Sequence, residues 1–299
     1  MELVDKLSNR QYIDGEWVES SNKNTRDIIN PYNQETIFTV AEGTKEDVER
    51  AILAARRSFE DGEWSLETSE VRGKKVRAIA DKIKENREEL AKLETLDTGK
   101  TLEESYADMD DIHNVFMYFA GLADKDGGEM INSPIPNTES KIVKEPVGVV
   151  TQITPWNYPL LQASWKIAPA LATGCSLVMK PSEITPLTTI RVFELMEEVG
   201  FPKGTINLVL GAGSEVGDVM SGHEEVDLVS FTGGIETGKH IMKQAANHVT
   251  DVALELGGKN PNIIFDDADF ELAVDQALNG GYFHACLLYT SDAADEGLG

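Results

Sequence analysis

Glu255 is the residue whose type and surroundings point most clearly to chemistry. It lies in the run VALELGGKNPN at residues 252–262, where its immediate neighbours are apolar. Such surroundings are expected to remove water from the carboxylate, which disfavours its charged form and suits a general base that works near neutral pH. The two glycines that follow leave space for another group to approach the backbone. The run by itself is equally compatible with a glutamate on an edge strand that points into water.

Four further segments precede this run along the chain. They are ITPWNYP (153–159), MKPSE (179–183), GAGSEVG (211–217) and SFTGGIETGK (230–239). Together with LELGGK, in this order and spacing, they resemble the NAD-dependent aldehyde dehydrogenase superfamily, and the resemblance extends from Tyr12 to Ala285. Within that superfamily, stretches such as ADMDDI and WNYPLLQASWKIAPALA resemble betaine aldehyde dehydrogenases.

The resemblance implies three catalytic side chains. Asn157 would donate a hydrogen bond to the oxyanion that forms when a thiol attacks an aldehyde, and Glu255 would activate the water that hydrolyses the resulting thioester. Lys166 would take part in a charge relay whose glutamate partner is expected beyond the end of this sequence. The alternative for Asn157 is a turn asparagine that bonds its own backbone, and the alternative for Lys166 is a lysine that only packs within its helix.

Lys180 and Glu183 follow the apolar run at 176–179, where a nucleotide-binding fold presents its ligand. The resemblance implies that both contact the adenosine ribose, while Ser182 shapes the loop. A carboxylate accepts hydrogen bonds from ribose hydroxyls and repels a 2′-phosphate, so we expect NAD rather than NADP. The alternative is an ordinary surface Lys/Glu pair. The other residues expected to contact the cofactor are Ile153, Thr154, Pro155, Trp156, Gly213, Gly217, Phe231, Thr232, Gly233, Gly234, Thr237 and Leu256.

Two glycine-containing segments are expected to serve different parts of that cofactor. GAGSEVG contains GxG without the usual GxGxxG spacing, so it is a weak signal alone, and the resemblance places it beside the adenine. Residues 231–234 precede a predicted helix, whose first N–H groups can face a diphosphate. Many family members have serine at the position of Gly234, so here the backbone would have to make the phosphate contact.

Tyr158 and Trp165 are candidates for contact with the aldehyde substrate. They are seven residues apart, about two helical turns, so they can share a helix face. Two aromatic faces suit a trimethylammonium group through cation–π attraction, and the resemblance implies this role around betaine aldehyde. The alternative is core packing.

A monovalent cation is a further expected ligand. The resemblance implies a site made by the Asp97 carboxylate with the backbone carbonyls of Ile28 and Ile184. The alternative is that Asp97 is an exposed loop carboxylate, and such residues usually bind no ion. Cys175 opens a predicted buried strand and is interpreted as a core residue.

The family's cysteine nucleophile is expected near position 289, where this sequence has Tyr289. Cys286 is three residues too early and lacks the flanking residues of the family. The segment 286–299, CLLYTSDAADEGLG, resembles a translated sequencing-library adapter and is interpreted as foreign; a truncated or frameshifted gene is the alternative. We therefore expect no aldehyde oxidation by this exact chain.

Two other hypotheses for the function remain. The chain is an inactive NAD-binding or interaction module, or it belongs to a dehydrogenase for an aminoaldehyde or semialdehyde.

Composition restricts the possible partners and location. Lys and Arg number 27 against 52 Asp and Glu, a formal charge of −25, which disfavours nucleic acid and anionic lipid. No apolar run is long enough to span a membrane, and two cysteines provide no disulfide framework. We expect a cytoplasmic protein that acts on a small-molecule aldehyde and forms a homodimer or homotetramer in its intact state.

The order of predicted elements indicates an α/β fold with a Rossmann-like NAD-binding domain and almost none of the catalytic domain. Helices are predicted at 45–59, 69–96 and 101–124, a loop at 125–137, and a strand pair around Glu145 and Pro146. From residue 148 short apolar strands alternate with helices, which is typical of a parallel sheet. The predicted divisions are an N-terminal part (1–138), an oligomerisation hairpin (139–150), an NAD-binding core (151–269), the start of a catalytic domain (270–285) and the foreign tail (286–299).

Overall fold

A computed structural model describes residues 3–125, 127–259, 261–282 and 287 of the chain. Cys286, Tyr289 and the rest of the segment predicted to be foreign, apart from Leu287, lie outside these residues. The strands of the described part are β1 (Gln11–Ile13), β2 (Glu16–Val18), β3 (Thr25–Ile29), β4 (Thr36–Ala41), β5 (Glu129–Asn132), β6 (Glu139–Ile142), β7 (Val149–Ile153), β8 (Ser176–Lys180), β9 (Ile206–Leu208), β10 (Leu228–Gly233) and β11 (Asp251–Leu256). The helices are α1 (Lys45–Asp61), α2 (Ser69–Glu85), α3 (Arg87–Thr98), α4 (Leu102–Leu122), α5 (Pro159–Thr173), α6 (Leu187–Val199), α7 (Gly213–Gly222), α8 (Ile235–Ala245) and α9 (Phe270–Tyr282).

Seven strands form one sheet in the order β11-β10-β7-β8-β9-β1-β2. The five strands from β11 to β9 are parallel, and each is followed or preceded by a helix along the chain. The β1–β2 hairpin adds two antiparallel strands through a turn at Asp14 and Gly15, both with positive φ. The predicted α/β class with a parallel sheet is confirmed, and the chain order reverses between β7 and β10, where such sheets bind ligands.

The core lies on both faces of this sheet. Successive residues of β8 alternate between two apolar clusters: Leu177 and Met179 pack in one, and Val178 packs in the other. The first cluster joins the sheet to α2, α4, α5 and α6, and the second joins it to α1 and α7. The strands β7, β8 and β9 are buried throughout, in keeping with their largely apolar sequences, whereas the edge strand β11 is mostly exposed.

The helix boundaries follow capping chemistry. Thr44 and Thr101 each form a capping box, with Asp47 and Glu104 respectively, so α1 and α4 begin where their first orphan N–H groups are satisfied. The predicted helical stretch at 69–96 is two helices, which meet at Asn86. Gly99 adopts the left-handed conformation that ends α3, as expected.

The predicted strand pair around Glu145 and Pro146 is wrong. The antiparallel hairpin lies earlier, with Glu129 opposite Ile142 and Asn132 opposite Glu139. Residues 143–148 form no strand before β7, in keeping with a proline that lacks an N–H and with Gly148 at φ +127°. The strand β5 lies within residues 125–137, which are predicted to be a loop because they are rich in Gly, Pro and Asp. All four residues of β5 are exposed, so the sequence shows no alternation of apolar and polar residues that would predict a strand. Its role in oligomerisation stays a prediction.

The last helix of the described part, α9, covers Phe270–Tyr282. Among the described residues, no helix combines the length and the apolar character that a membrane span requires. The proposed division into domains stays a prediction.

Candidate active site

A cleft of about 640 Å³ opens where β7, β8 and β10 end and where α7 and α8 lie beside each other. It brings together many of the residues predicted to contact the cofactor: Ile153, Lys180, Glu183, Gly213, Gly217, Phe231 and Thr237. Sequence reasoning missed others that line it, among them Ser214, Asp218, Ser221, Glu236 and His240. Two of them had a signal in the sequence, because Ser221 follows Gly217 by four residues and His240 follows Thr237 by three, which places each pair on one helix face.

Lys180 and Glu183 form an ion pair at one wall of this cleft. The Lys180 ammonium lies 3.2 Å from Glu183 Oε2 and donates to the Pro181 carbonyl oxygen at 3.0 Å. Burial lowers the pKa of Lys180. Burial raises the pKa of Glu183, but the Lys180 ammonium and hydrogen bonds outweigh it, so the net shift is downward and the carboxylate stays ionised. Ser182 is buried beside them, and its role in shaping the loop stays a prediction.

The start of α8 borders a second, smaller cleft of about 440 Å³. Gly234 is the N-cap residue of α8 with extended backbone, and α8 has no side-chain cap there. A Cβ atom on Gly234 would meet nothing within 4 Å. Gly257 and Gly258 line the opposite side, and Gly257 N donates to the Gly233 carbonyl oxygen at 3.2 Å. Thr232 Oγ1 is buried nearby without a hydrogen-bond partner within the described chain, and Leu256 is partly exposed at the end of β11.

Asn157 lies in the loop between β7 and α5, after Thr154, Pro155 and Trp156. Thr154 N donates to the Lys180 carbonyl oxygen at 3.1 Å, which ties this loop to the end of β8. Asn157 Oδ1 accepts from Tyr158 N at 3.1 Å, and Asn157 Nδ2 donates to the Leu287 carbonyl oxygen, also at 3.1 Å. The amide is therefore oriented so that its N–H group faces a carbonyl oxygen.

Lys166 is buried in α5, and its ammonium donates to Ser230 Oγ at 3.0 Å. Burial lowers the pKa of Lys166 to about 8, although the Glu255 carboxylate opposes the shift. The Glu255 carboxylate therefore acts electrostatically on Lys166, so one glutamate that influences this lysine is present among the described residues. A lysine with this pKa can gain or lose a proton near neutral pH.

Glu255 itself is exposed, so the expectation that its apolar neighbours remove water from it is wrong for this chain. The reason is topological: β11 is the edge strand of the sheet and pairs only with β10 among the described strands. The residues next to Glu255 in the sequence do not determine whether another strand or helix packs against an edge strand and shields it from water. The carboxylate lies opposite Thr232 of β10 in the register of the two strands.

The two candidate substrate aromatics occupy different environments. Tyr158 is the N-cap residue of α5 and is partly buried, whereas Trp165 lies within α5 and is 48% exposed. The Lys100 ammonium lies 4.7 Å from the centroid of the Tyr158 ring. Lys100 is fully buried and ion-paired with Glu94 at 3.2 Å and Asp108 at 2.7 Å. Sequence reasoning missed this charged cluster entirely.

Asp97 is buried at the end of α3, so the expectation of an exposed loop carboxylate is wrong. Its Oδ2 accepts from Leu187 N at 2.9 Å, while Oδ1 is buried without a hydrogen-bond partner in the described part of the chain. Burial raises the pKa of Asp97 well above its ordinary value. Ile28 is buried and Ile184 is half exposed. Within the described residues no cluster of three His, Cys, Asp or Glu side chains suits a metal ion.

The fold and the site define the class of protein. The chain belongs to the aldehyde dehydrogenase family, whose sequence model matches residues 17–286. It is 66% identical over 279 residues to a betaine aldehyde dehydrogenase of Bacillus subtilis, covering 93% of this chain and 57% of that protein. It is 46% identical over 285 residues to a peroxisomal aminoaldehyde dehydrogenase 1 of Pisum sativum, covering 93% of this chain and 56% of that protein.

Solved structures agree with this assignment. A crystal structure of betaine aldehyde dehydrogenase from Staphylococcus aureus in complex with NAD+ is 92% identical to this chain, with a TM-score of 0.95. The match covers 95% of this chain and 56% of that one. The chain thus spans little more than half the length of these relatives, and its own residue 289 is a tyrosine.

Proposed function

We propose that the intact protein oxidises an aldehyde to a carboxylic acid with NAD, and that betaine aldehyde is its substrate. The use of NAD is supported by one observation, the cleft at the carboxyl ends of β7, β8 and β10, whose wall contains the Lys180–Glu183 pair. The ionised Glu183 can accept hydrogen bonds from two ribose hydroxyls and repels a 2′-phosphate, which favours NAD over NADP. The open start of α8 and the buried Thr232 hydroxyl supply donors beside the space for the diphosphate.

The catalytic roles rest on the positions of three side chains. Bound NAD would supply the hydride acceptor. Asn157 would donate its Nδ2–H to the oxyanion formed when a thiolate adds to the aldehyde carbonyl, since its Oδ1 accepts from Tyr158 N and the nitrogen is the end of the amide that can donate. Glu255 would take a proton from the water that releases the acid, and the neighbouring Lys166 would exchange protons with it.

Among the residues that the structure describes, none places a thiolate at the site. Cys175, the one cysteine among the described residues, is buried at the start of β8 in the core. Since position 289 is Tyr, we expect the 299-residue chain to bind NAD without oxidising aldehydes.

The decisive experiment joins residues 1–285 of this chain to the remaining C-terminal part of the Bacillus subtilis relative. We expect this chimera to reduce NAD with betaine aldehyde, whereas the 299-residue chain should bind NAD and show no turnover. No turnover by a folded chimera would contradict the proposal. Turnover by the 299-residue chain itself would contradict the requirement for a thiolate near position 289.

The aminoaldehyde alternative is tested in the same assay. It is favoured by the aminoaldehyde dehydrogenases among the relatives, and an aminoaldehyde is also cationic at neutral pH. The Tyr158 ring and the half-exposed Trp165 suit either cation through their π faces. A higher kcat/KM for an aminoaldehyde than for betaine aldehyde would reassign the substrate, and equal values for an uncharged aldehyde would remove the role of the aromatic pair.

We also propose that a monovalent cation binds at Asp97. The buried Oδ1 without a partner fits such an ion, because a cation would compensate a carboxylate whose ionisation is disfavoured by burial. The backbone carbonyls of Ile28 and Ile184 would complete the site. We expect potassium to raise the melting temperature of the chain relative to an equal concentration of tetramethylammonium, and Asp97→Asn to abolish that difference while keeping the acceptor for Leu187 N. The same potassium effect in the variant would contradict the site.

The intact protein is proposed to be a homodimer or homotetramer that uses the β5–β6 hairpin. Met130, Ile131 and Ile142 are exposed on this hairpin, and an apolar strand edge of this kind favours pairing with another chain. Sedimentation of the chimera tests this proposal: a monomer would contradict it. A cytoplasmic location stays a prediction.

A further inference from the structure

Arg26 and Glu42 form an ion pair beside the nucleotide cleft that has no role in the proposed chemistry. The guanidinium is bidentate: Arg26 Nε lies 2.5 Å from Glu42 Oε2, and the second nitrogen lies 2.7 Å from Oε1. Arg26 is on β3 and Glu42 directly follows β4, so the pair closes one end of that two-stranded sheet. Both side chains are partly exposed at a separate opening of about 540 Å³.

Glu42 connects this pair to the wall of the nucleotide cleft. Its Oε1 accepts a hydrogen bond from Ala212 N at 3.0 Å, and Ala212 is the N-cap residue of α7. The next residue, Gly213, lines the cleft together with Lys180 and Glu183. The carboxylate therefore sits at the positive end of α7, where negative charge is favourable.

The contact between these two segments is close and fixed. Gly43 N donates to the Leu210 carbonyl oxygen at 3.1 Å. A Cβ atom on Gly43 would lie 2.2 Å from that oxygen and 2.4 Å from Gln11 Oε1, so the backbone can approach only because residue 43 is glycine. The position of Glu42 relative to the start of α7 is thus set by packing rather than by a flexible side chain alone.

The pair also acts electrostatically on the residues expected to hold the ribose. The Arg26 guanidinium contributes to lowering the pKa of Glu183, after the larger effect of Lys180. The Glu42 carboxylate contributes to raising the pKa of Lys180 against the dominant effect of burial. Two cations, Arg26 and Lys180, and two carboxylates, Glu42 and Glu183, therefore influence one another electrostatically at this side of the cleft.

We propose that the Arg26–Glu42 pair is a specificity-determining element that sets the discrimination between a free ribose 2′-hydroxyl and a 2′-phosphate. The proposal rests on the proposed cofactor function of the cleft. With Glu42 intact, the charge of Arg26 is compensated and Glu183 presents its negative charge to C2′. Without Glu42, Arg26 is free to pair with Glu183 or with a 2′-phosphate, and both effects weaken the discrimination. Without Arg26, two carboxylates remain and the discrimination increases.

The test uses two ligands that differ only at the 2′ position and contain only the adenosine end of the cofactor. Dissociation constants of 5′-AMP and adenosine 2′,5′-bisphosphate are measured by calorimetry on the full 299-residue chain at low ionic strength, where exposed charges are least screened. We expect Glu42→Gln to improve binding of the bisphosphate relative to AMP by about three- to fivefold, and Arg26→Gln to worsen it by a similar factor. Arg26→Lys should restore most of the original ratio.

A matched control is available outside the residues that line the cleft and the Arg26–Glu42 opening. Arg87 and Asp110 form an equally short bidentate pair, at 2.6 and 2.7 Å, between α3 and α4. Arg87→Gln and Asp110→Asn change the net charge by the same amounts and should leave the ratio unchanged.

The outcomes separate the two proposals. A shift of the ratio in the expected direction, relative to the unsubstituted chain, supports the specificity role in either variant, so the test holds even if only one of the two variants folds. Parallel weakening of both ligands in a folded variant indicates a purely structural pair and overturns it. Failure of the unsubstituted chain to bind either ligand overturns the proposed cofactor site and this inference together.

Discussion

Replacing Lys100 with methionine should lower the free energy of unfolding by about 3–5 kcal/mol, because the substitution leaves two buried carboxylates without their cation. The Lys100 ammonium is fully buried and lies 2.7 Å from Asp108 Oδ2 and 3.2 Å from Glu94 Oε1. Burial already raises the pKa of Asp108, even with the ammonium in place to oppose that shift. Without the ammonium, both carboxylates must be protonated or remain as uncompensated buried charges.

The measurement is denaturant unfolding at neutral pH, with Lys92→Met as the control. Lys92 lies on α3 and is paired with Glu88 at 2.6 Å, but both side chains are exposed, so that substitution should leave stability nearly unchanged. The loss caused by Lys100→Met should shrink as pH falls and the carboxylates take up protons. A loss under about 1 kcal/mol would show that the buried carboxylates do not depend on the ammonium.

The Lys100 cluster also bears on the substrate side of the site. The same ammonium lies over the Tyr158 ring, so it fixes the environment of one of the two aromatics proposed to receive a cationic aldehyde. Thr188 Oγ1 donates to Glu94 Oε2 at 2.6 Å, which links the cluster to α6. A substitution at Lys100 is therefore expected to disturb the packing of α3, α4 and the start of α5 together.

Elements with strong local signals were predictable from the sequence. The parallel strands β7, β8 and β9 are short, largely apolar runs that are buried throughout, and α1 and α4 begin at their own caps, Thr44 and Thr101. The cofactor residues of the cleft were predicted from five motifs in order, and the structure places Lys180, Glu183, Gly213 and Thr237 around one opening.

The wrong and missing predictions share a physical cause: the environment of each residue depends on contacts with residues that are distant in the sequence. Glu255 has apolar neighbours along the chain, yet its exposure is decided by the edge position of β11 in the sheet. Asp97 follows a helical run, but its burial depends on α6, which is about 90 residues later and donates Leu187 N to it. The bond from Ala212 N to Glu42 joins residues 170 positions apart, so no local pattern could reveal it.

Asn157→Ala in the chimera should reduce kcat by about 100- to 1000-fold, the usual cost of removing one donor from an oxyanion site. The KM for NAD should change little, because the cleft that holds Lys180 and Glu183 does not depend on the Asn157 amide. The geometry supports a donor role: Tyr158 N donates to the amide oxygen of Asn157, so the amide nitrogen is the end that can donate to an acceptor. An oxyanion is a better acceptor than the carbonyl it comes from, and the bond therefore strengthens as the thiolate adds.

The alternative, a turn asparagine that only bonds its own backbone, predicts a different result. Loss of the bond to Tyr158 N would then lower stability and leave kcat of the folded chimera almost unchanged. Asn33→Ala provides the matched control, since Asn33 is an exposed turn residue whose amide donates to Glu35 at 2.8 Å, far in sequence from the site. Steady-state rates together with unfolding curves for both variants separate the two roles: a fall in kcat below about tenfold with a clear loss of stability would assign Asn157 to the turn rather than to the oxyanion.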